Sequence, residues 1–229
     1  MPGSPGRGAC RVRRPGGRVQ ADRALSRAGG GTGWAWCARI AVVRPESFAR
    51  WSPQATRQQA EFIVRLGADR DVEACVRLVV AIGAGDGDAW RRTLTRTVRD
   101  GRRRALFVAE AHGEVVGYGR VVLAEADPGA PAAAPSGWYL LGLVVDQAWR
   151  RRGIGEALTR ARMAWVAERA ERLCYFTQPD NRASQALHER LGFVKLPGTW
   201  IPPGGRPEDA GSQQFYRVDL RVRDRPSGG

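Results

Sequence analysis

The chain has 229 residues, with 37 Lys+Arg against 23 Asp+Glu and a formal net charge of +14. Its hydrophobic content of 43% can build a core, and no apolar run approaches the roughly 18 residues that would span a membrane. The 2 histidines and 4 cysteines (Cys10, Cys37, Cys75, Cys174) form no Cys-x-x-Cys pair and no ligand cluster, which argues against a zinc site or a disulfide framework and for reduced thiols in a cytoplasm.

The charge is unevenly placed. Residues 1–57 hold 11 arginines against Asp22 and Glu46, a net of +9, which leaves +5 for residues 58–229. Only Lys195 is a lysine. Gly and Pro interrupt the leader 1–57 every few positions, and no apolar period survives. It is expected to be disordered, because it cannot bury enough apolar surface to offset the entropy of ordering. A basic arm for nucleic acid is one reading. A targeting peptide is another, against which stand the missing apolar run and the missing amphipathic period. The plainest reading is an Arg-, Ala-, Gly- and Pro-heavy composition without function, so nucleic acid is not the expected partner.

Order is expected to begin near Glu61. Phe62 to Leu66 reads as a short strand. Asp69 then stands as an N-cap before Val72, Cys75, Val76, Val79 and Val80, which keep a helical period. Gly83 to Gly87 is a break, and no Lys-Ser/Thr follows it as in a Walker loop. Asp88 to Arg99 reads as a polar helix. Ala105–Glu110 and Glu114–Leu123 form a hairpin about His112-Gly113. A Pro/Ala loop, Asp127 to Gly137, leads to Trp138–Val145, an apolar run expected to be buried on both faces. Gly153 to Arg169 is a helix, Leu173–Thr177 a strand, and Asn181–Leu191 a helix stopped by Gly192. Phe193–Leu196 and Gln214–Leu220 read as the last two strands.

One junction carries chemistry. The strand ending in Leu143-Val144-Val145 runs through Arg150-Arg151-Arg152 into Gly153-Ile154-Gly155-Glu156, where a helix starts. The first turn of a helix leaves backbone N–H groups unpaired, and its dipole adds positive potential. Glycines let a ligand approach those amides, and three arginines beside them suit a di-anion such as a pyrophosphate. The same glycines could serve only the turn, and the arginines only a solvated face. Position 158 is Leu, so the Rossmann fingerprint is not met.

A second motif follows about 30 residues on: Asn181-Arg182-Ala183-Ser184-Gln185-Ala186-Leu187-His188-Glu189-Arg190-Leu191-Gly192-Phe193. Together the two segments resemble the GNAT superfamily of acyl-CoA-dependent N-acetyltransferases, over roughly residues 61–221. The resemblance implies an α/β fold: a mixed, mostly antiparallel central sheet of about six or seven strands flanked by helices, spanning 58–222, with a disordered tail at 223–229. It implies acetyl-CoA as co-substrate and no metal. The strand Leu141–Val145 would splay from Leu173–Thr177, and the pantetheine arm would pair with its free backbone around Leu143, Val144 and Val145. The pyrophosphate would sit on Arg150, Arg151, Arg152, Gly153, Ile154, Gly155 and Glu156, with Asn181 and Ser184 also against the cofactor. A backbone N–H near Val144 or Val145 would polarise the acetyl carbonyl. A neutral amine would attack directly, with no acyl-enzyme.

His188 stands where the family usually places a Tyr that protonates the departing thiolate. Imidazole, with a reference pKa of about 6.5 against about 8.5 for a thiol, can donate there; a ring that merely packs is the other reading. No general base is singled out: Glu110, Glu114 and Tyr139 lie on strands without a local signal. Cys174, in an apolar strand, reads as an inert buried thiol, and Asn181 can also cap its helix. The expected protein is a cytoplasmic N-acetyltransferase acting on a primary amine, first of a small molecule and second of a protein N-terminus or lysine. A homodimer is compatible with the family. Two other classes remain open: a non-catalytic acyl-CoA-binding protein, and a nucleic-acid binder acting through the leader.

Overall fold

The computed structural model describes residues 61–126, 129 and 132–220. The leader 1–57, the tail 223–229 and part of the Asp127–Gly137 loop, on which sequence expectations fell, lie outside the described residues. The chain divides into two units, Met1–Thr32 and Gly33–Gly229, and all described residues lie in the second.

The hairpin of β2 (Arg104–Ala111) and β3 (Glu114–Ala124) anchors the sheet. His112 and Gly113 both take positive φ (51° and 80°), the backbone that matches a two-residue turn to the twist of its strands. Before the hairpin come β1 (Ile63–Leu66), α1 (Val72–Ala81) and α2 (Gly87–Arg99). After it come β4 (Gly137–Val145), α3 (Ile154–Ala167), β5 (Arg172–Thr177), α4 (Arg182–Arg190), β6 (Val194–Lys195) and β7 (Gln214–Asp219). The sheet runs β1-β2-β3-β4-β5-β7-β6. Every neighbouring pair is antiparallel except β4–β5, where α3 supplies the crossover that parallel strands need. The mixed, mostly antiparallel sheet flanked by helices is the fold expected from the sequence.

Side-chain alternation divides the core between the two faces. On the first, α3 and α4 cover Phe107, Val121, Leu140, Leu173 and Tyr175, with Ile154, Leu158 and Val166 of α3 pressed inward. Each such buried side chain contributes about 1.5–3 kcal/mol. On the second, α1 and α2 pack through Val72, Cys75, Val79 and Leu94 on Leu106, Val108, Tyr118 and Val144. The remainder of that face carries a stack of Tyr139, Phe176, Phe215 and Trp200. Backbone bonds from Ala134 to Ile201 and from Ile201 to Ala132 tie the two loops over it together.

Three local expectations are corrected. Asp69 does not cap α1; it opens a 3-10 turn, Asp69–Asp71. Asp71 holds the N-cap position, and its carboxylate accepts from Ala68 N (2.8 Å) and from both arms of Arg65 (2.7 and 2.8 Å). That bidentate partner outweighs the local propensity of Asp69. The helix expected from Asp88 is capped by Asp86, which accepts from the amides of Asp88 and Ala89. The β4 run is buried on both faces only through Leu140; Leu141 and Leu143 are half-buried and Gly142 is exposed.

Candidate active site

The opening of β4 has a geometric cause. β4 pairs with β5 only through Trp138↔Leu173, Tyr139↔Cys174 and Leu140↔Tyr175. β5 continues along β7 to Thr177↔Gln214. From Leu141 to Val145 the β5-facing edge of β4 therefore has no strand partner among the described residues. On its other edge β4 slips by one residue against β3: Tyr118 pairs with Val144 but Arg120 with Leu141. Gly142 and Leu143 together oppose Gly119, and Gly142 takes φ 55°. This is a β-bulge, which bends the bulged strand and increases local twist. β4 and β5 part here, and the slot between them leaves the β5-facing backbone edge of β4 without a strand partner among the described residues.

The slot leads to the start of α3. Asp146 accepts from Ala148 N (2.8 Å) and opens a 3-10 turn, Gln147–Trp149. Arg151 and Gly153 take positive φ (67° and 86°), and no side chain caps α3. The first-turn amides of a helix have no partner within it, so this end presents donors together with the positive pole of the dipole. Arg152 lies over the Trp149 ring (4.8 Å), and its Nε is buried with no hydrogen-bond partner. A Cβ on Gly155 would touch Leu143 and Leu187, each at 3.7 Å. The residue thus marks where β4, α3 and α4 converge. An uncapped helix end, an orphaned guanidinium donor and an unpaired strand edge in line suit a long ligand with an anionic group at one end.

Of the residues expected at the site, Leu143, Val144, Val145 and Arg150 through Glu156 come together at this junction, with Ser184 and His188 on the neighbouring helix. The Asn181 side chain accepts from Ser184 N (3.2 Å) and caps α4. His188 is buried, 3% exposed. Its ring stacks on Tyr175 with centroids 3.8 Å apart and stands edge-on to Phe193 at 5.1 Å. Nδ1 lies 2.8 Å from Ser184 O; a carbonyl only accepts, so Nδ1 carries the proton and donates it there. Burial pushes the imidazole pKa down to about 3. The ring is neutral at pH 7, with its one N–H committed to the backbone.

None of the three candidate bases reaches the slot as a free group. Glu110 accepts from Arg65 at 2.9 and 2.7 Å. Glu114 is exposed at the hairpin turn. The Tyr139 hydroxyl donates to Pro135 O, and burial holds it far above the usual phenol range. Burial likewise raises the Cys174 thiol to about 11. Trp149, Tyr175 and Arg162 are part of the site's surroundings but carried no sequence signal, since an aromatic or an arginine on a strand or helix reads equally as core or surface.

The fold is a mixed, mostly antiparallel sheet flanked by helices, with β4 parting from β5 beside the head of α3. Residues 50–193 match the family described as "Acetyltransferase (GNAT) family", and the chain belongs to that family. It is 35% identical over 106 residues to a mycothiol acetyltransferase of Amycolatopsis mediterranei, a match covering 43% of this chain and 35% of that protein. It is 27% identical over 131 residues to an aminoglycoside N(6′)-acetyltransferase type 1 of Stenotrophomonas maltophilia, covering 57% of this chain and 84% of the relative. The first match thus spans about a third of the relative's length. An N-acetyltransferase structure from Staphylococcus aureus Mu50 superposes with a TM-score of 0.55 at 19% identity, over 71% of this chain and 100% of that one. No helix among the described residues is long and apolar enough to cross a membrane.

Proposed function

We propose that the chain is an N-acetyltransferase that moves the acetyl group of acetyl-CoA to the primary amine of a small molecule. The observation that carries this is the slot itself: β4 leaves β5 after Leu140 and ends at an uncapped helix flanked by Arg150, Arg151 and Arg152. In this reading the backbone of Leu143, Val144 and Val145 pairs with the pantetheine arm. The amides from Gly153 to Glu156 hold the pyrophosphate, and Asn181 and Ser184 shape the wall on the α4 side. A β4 amide near Val144 polarises the acetyl carbonyl, and the amine attacks it directly. The carbon–sulfur bond breaks, the electron pair leaves with sulfur, and the proton shed by the amine nitrogen passes through solvent, which protonates the departing thiolate. Rate comes from positioning and from a fixed donor at the carbonyl oxygen.

His188 has no transferable proton in this scheme. Its burial, its low pKa and the commitment of Nδ1–H to Ser184 O favour a packing role that orients Tyr175 and the α4 wall. The small-molecule acceptor is supported by the two relatives, which are named for mycothiol and for aminoglycosides. A CoA-release assay over amine classes, run with the full chain, tests the reading: release is expected with a small amine and with no peptide. If acetyl-CoA at millimolar concentration leaves the thermal midpoint unchanged, the cofactor assignment fails. Release only with peptide N-termini or lysines would move the acceptor to protein.

A further inference from the structure

Arg162 is a fully buried arginine on the inner face of α3, at 0% exposure. Among the described residues no carboxylate pairs with it. Its Nε donates to Leu158 O (3.1 Å), Nη2 to Thr159 Oγ1 (2.9 Å) and Nη1 across to Arg120 O on β3 (3.3 Å). Thr159, also fully buried, donates in turn to Gly155 O (2.8 Å). A chain of polar contacts therefore runs from the first turn of α3, through Thr159 and Arg162, to β3.

Stability does not explain this residue. Burying a guanidinium without an anion costs more than a few hydrogen bonds return, and an apolar side chain of similar length would fill the space at lower cost. The place where its arm ends does explain it. Arg120 O belongs to the strand segment where β3 and β4 slip in register, beside Gly119, which faces the two bulge residues Gly142 and Leu143. The guanidinium lies flat against Gly119: a Cβ there would fall 2.7 Å from Cζ. On the opposite face the Arg120 side chain reaches Gly142, its Nε 3.4 Å from where a Cβ would be. The bulge is thus held from both faces, and it is the bulge that turns β4 away from β5. The charge of Arg162 also adds to the lowering of the His188 pKa, so the guanidinium lies within electrostatic reach of the slot's α4 wall.

We propose that Arg162 is a positioning residue, a strut between the first turn of α3 and the β3–β4 bulge that sets the width of the slot for the pantetheine arm. This rests on the acetyl-CoA reading above. Two ligands and the full chain separate the two claims: coenzyme A, and adenosine 3′-phosphate 5′-diphosphate, its nucleotide half without the arm. Titration calorimetry of Arg162→Met should show coenzyme A weakened about tenfold or more, with the nucleotide half within about twofold of wild type. Arg162→Lys, which keeps the charge but not the fork of donors, should fall between. Equal weakening of both ligands, or of neither, overturns the strut. Should Arg162→Met not fold, Gly119→Ala displaces the guanidinium from the other side and must give the same selective loss. A wild-type chain that binds neither ligand refutes the acetyl-CoA reading instead.

Discussion

Replacing His188 with Phe separates a proton donor from a packing ring. The phenyl keeps the stack on Tyr175 and the edge contact with Phe193 and loses one hydrogen bond, Nδ1–H to Ser184 O, worth a net of about 0.5–1.5 kcal/mol. It also removes a polar ring from a dry site, so stability near pH 7 should change by about 1 kcal/mol or less. Acid separates the two proteins further. Burial holds the imidazole at about 3 against 6.5 for the free group. Between those values the unfolded chain binds a proton that the folded chain refuses. The stability held by this group is therefore complete above the unfolded pKa and falls as pH drops towards the folded one. A single site with these two values loses about 2 kcal/mol between pH 7 and pH 5. Carboxylates such as Asp71, which Arg65 holds low, also weaken the fold in acid, but they cancel when variant and wild type are compared. Urea unfolding at pH 7 and pH 5 should thus show the difference shifting by about 2 kcal/mol in favour of His188→Phe. In parallel, kcat should stay within about threefold of wild type, whereas removing a true general acid costs about 10²–10⁴. A hundredfold loss of kcat, or no pH-dependent shift, would refute the packing role.

Other predictions concern the loop and the edge of the sheet. Gly155→Ala meets Leu143 and Leu187 only at ordinary distances and should stabilise the helix by about 0.5–1 kcal/mol, yet weaken coenzyme A about tenfold by placing a methyl at the turn proposed to hold the pyrophosphate; calorimetry showing unchanged affinity would move the pyrophosphate elsewhere. Gly153→Ala has open space around it but a φ of 86°, so thermal unfolding should show a cost of about 1–2 kcal/mol. Arg65→Met leaves the Asp71 carboxylate, 5% exposed, without its bidentate partner and should cost about 2–4 kcal/mol in denaturant unfolding, with coenzyme A affinity unchanged because the ion-paired cluster sits on β1, β2 and the turn before α1.

Much of the fold was legible because hydrophobic period is local. The 3.6-residue spacing of Ile154, Leu158 and Trp165 and the two apolar runs flanking His112-Gly113 name helix and strand without reference to the rest of the chain. The basic turn at the head of α3 was legible for the same reason: Arg150 to Glu156 are contiguous, and a helix start presents its amides whatever it packs against. The unbroken apolar run of β4 was misread in its second half. Period alone does not reveal a bulge, and the positive φ of Gly142 follows from how β3 and β4 meet. His188 was ambiguous for a related reason: the Asn181–Phe193 motif names the position, but whether an imidazole is charged depends on its surroundings.

The sequence by itself determined the order of the elements, the basic turn at the head of α3 and the family, since each is written in neighbouring residues. Only the tertiary structure decided where β4 parts from β5, that His188 is dry and neutral, and that Arg162 spans from α3 to the bulge. Those facts depend on contacts between different elements, such as that of Arg162 with Arg120, 42 positions away, whose hydrogen bonds and desolvation exist only once the sheet and its helices have packed.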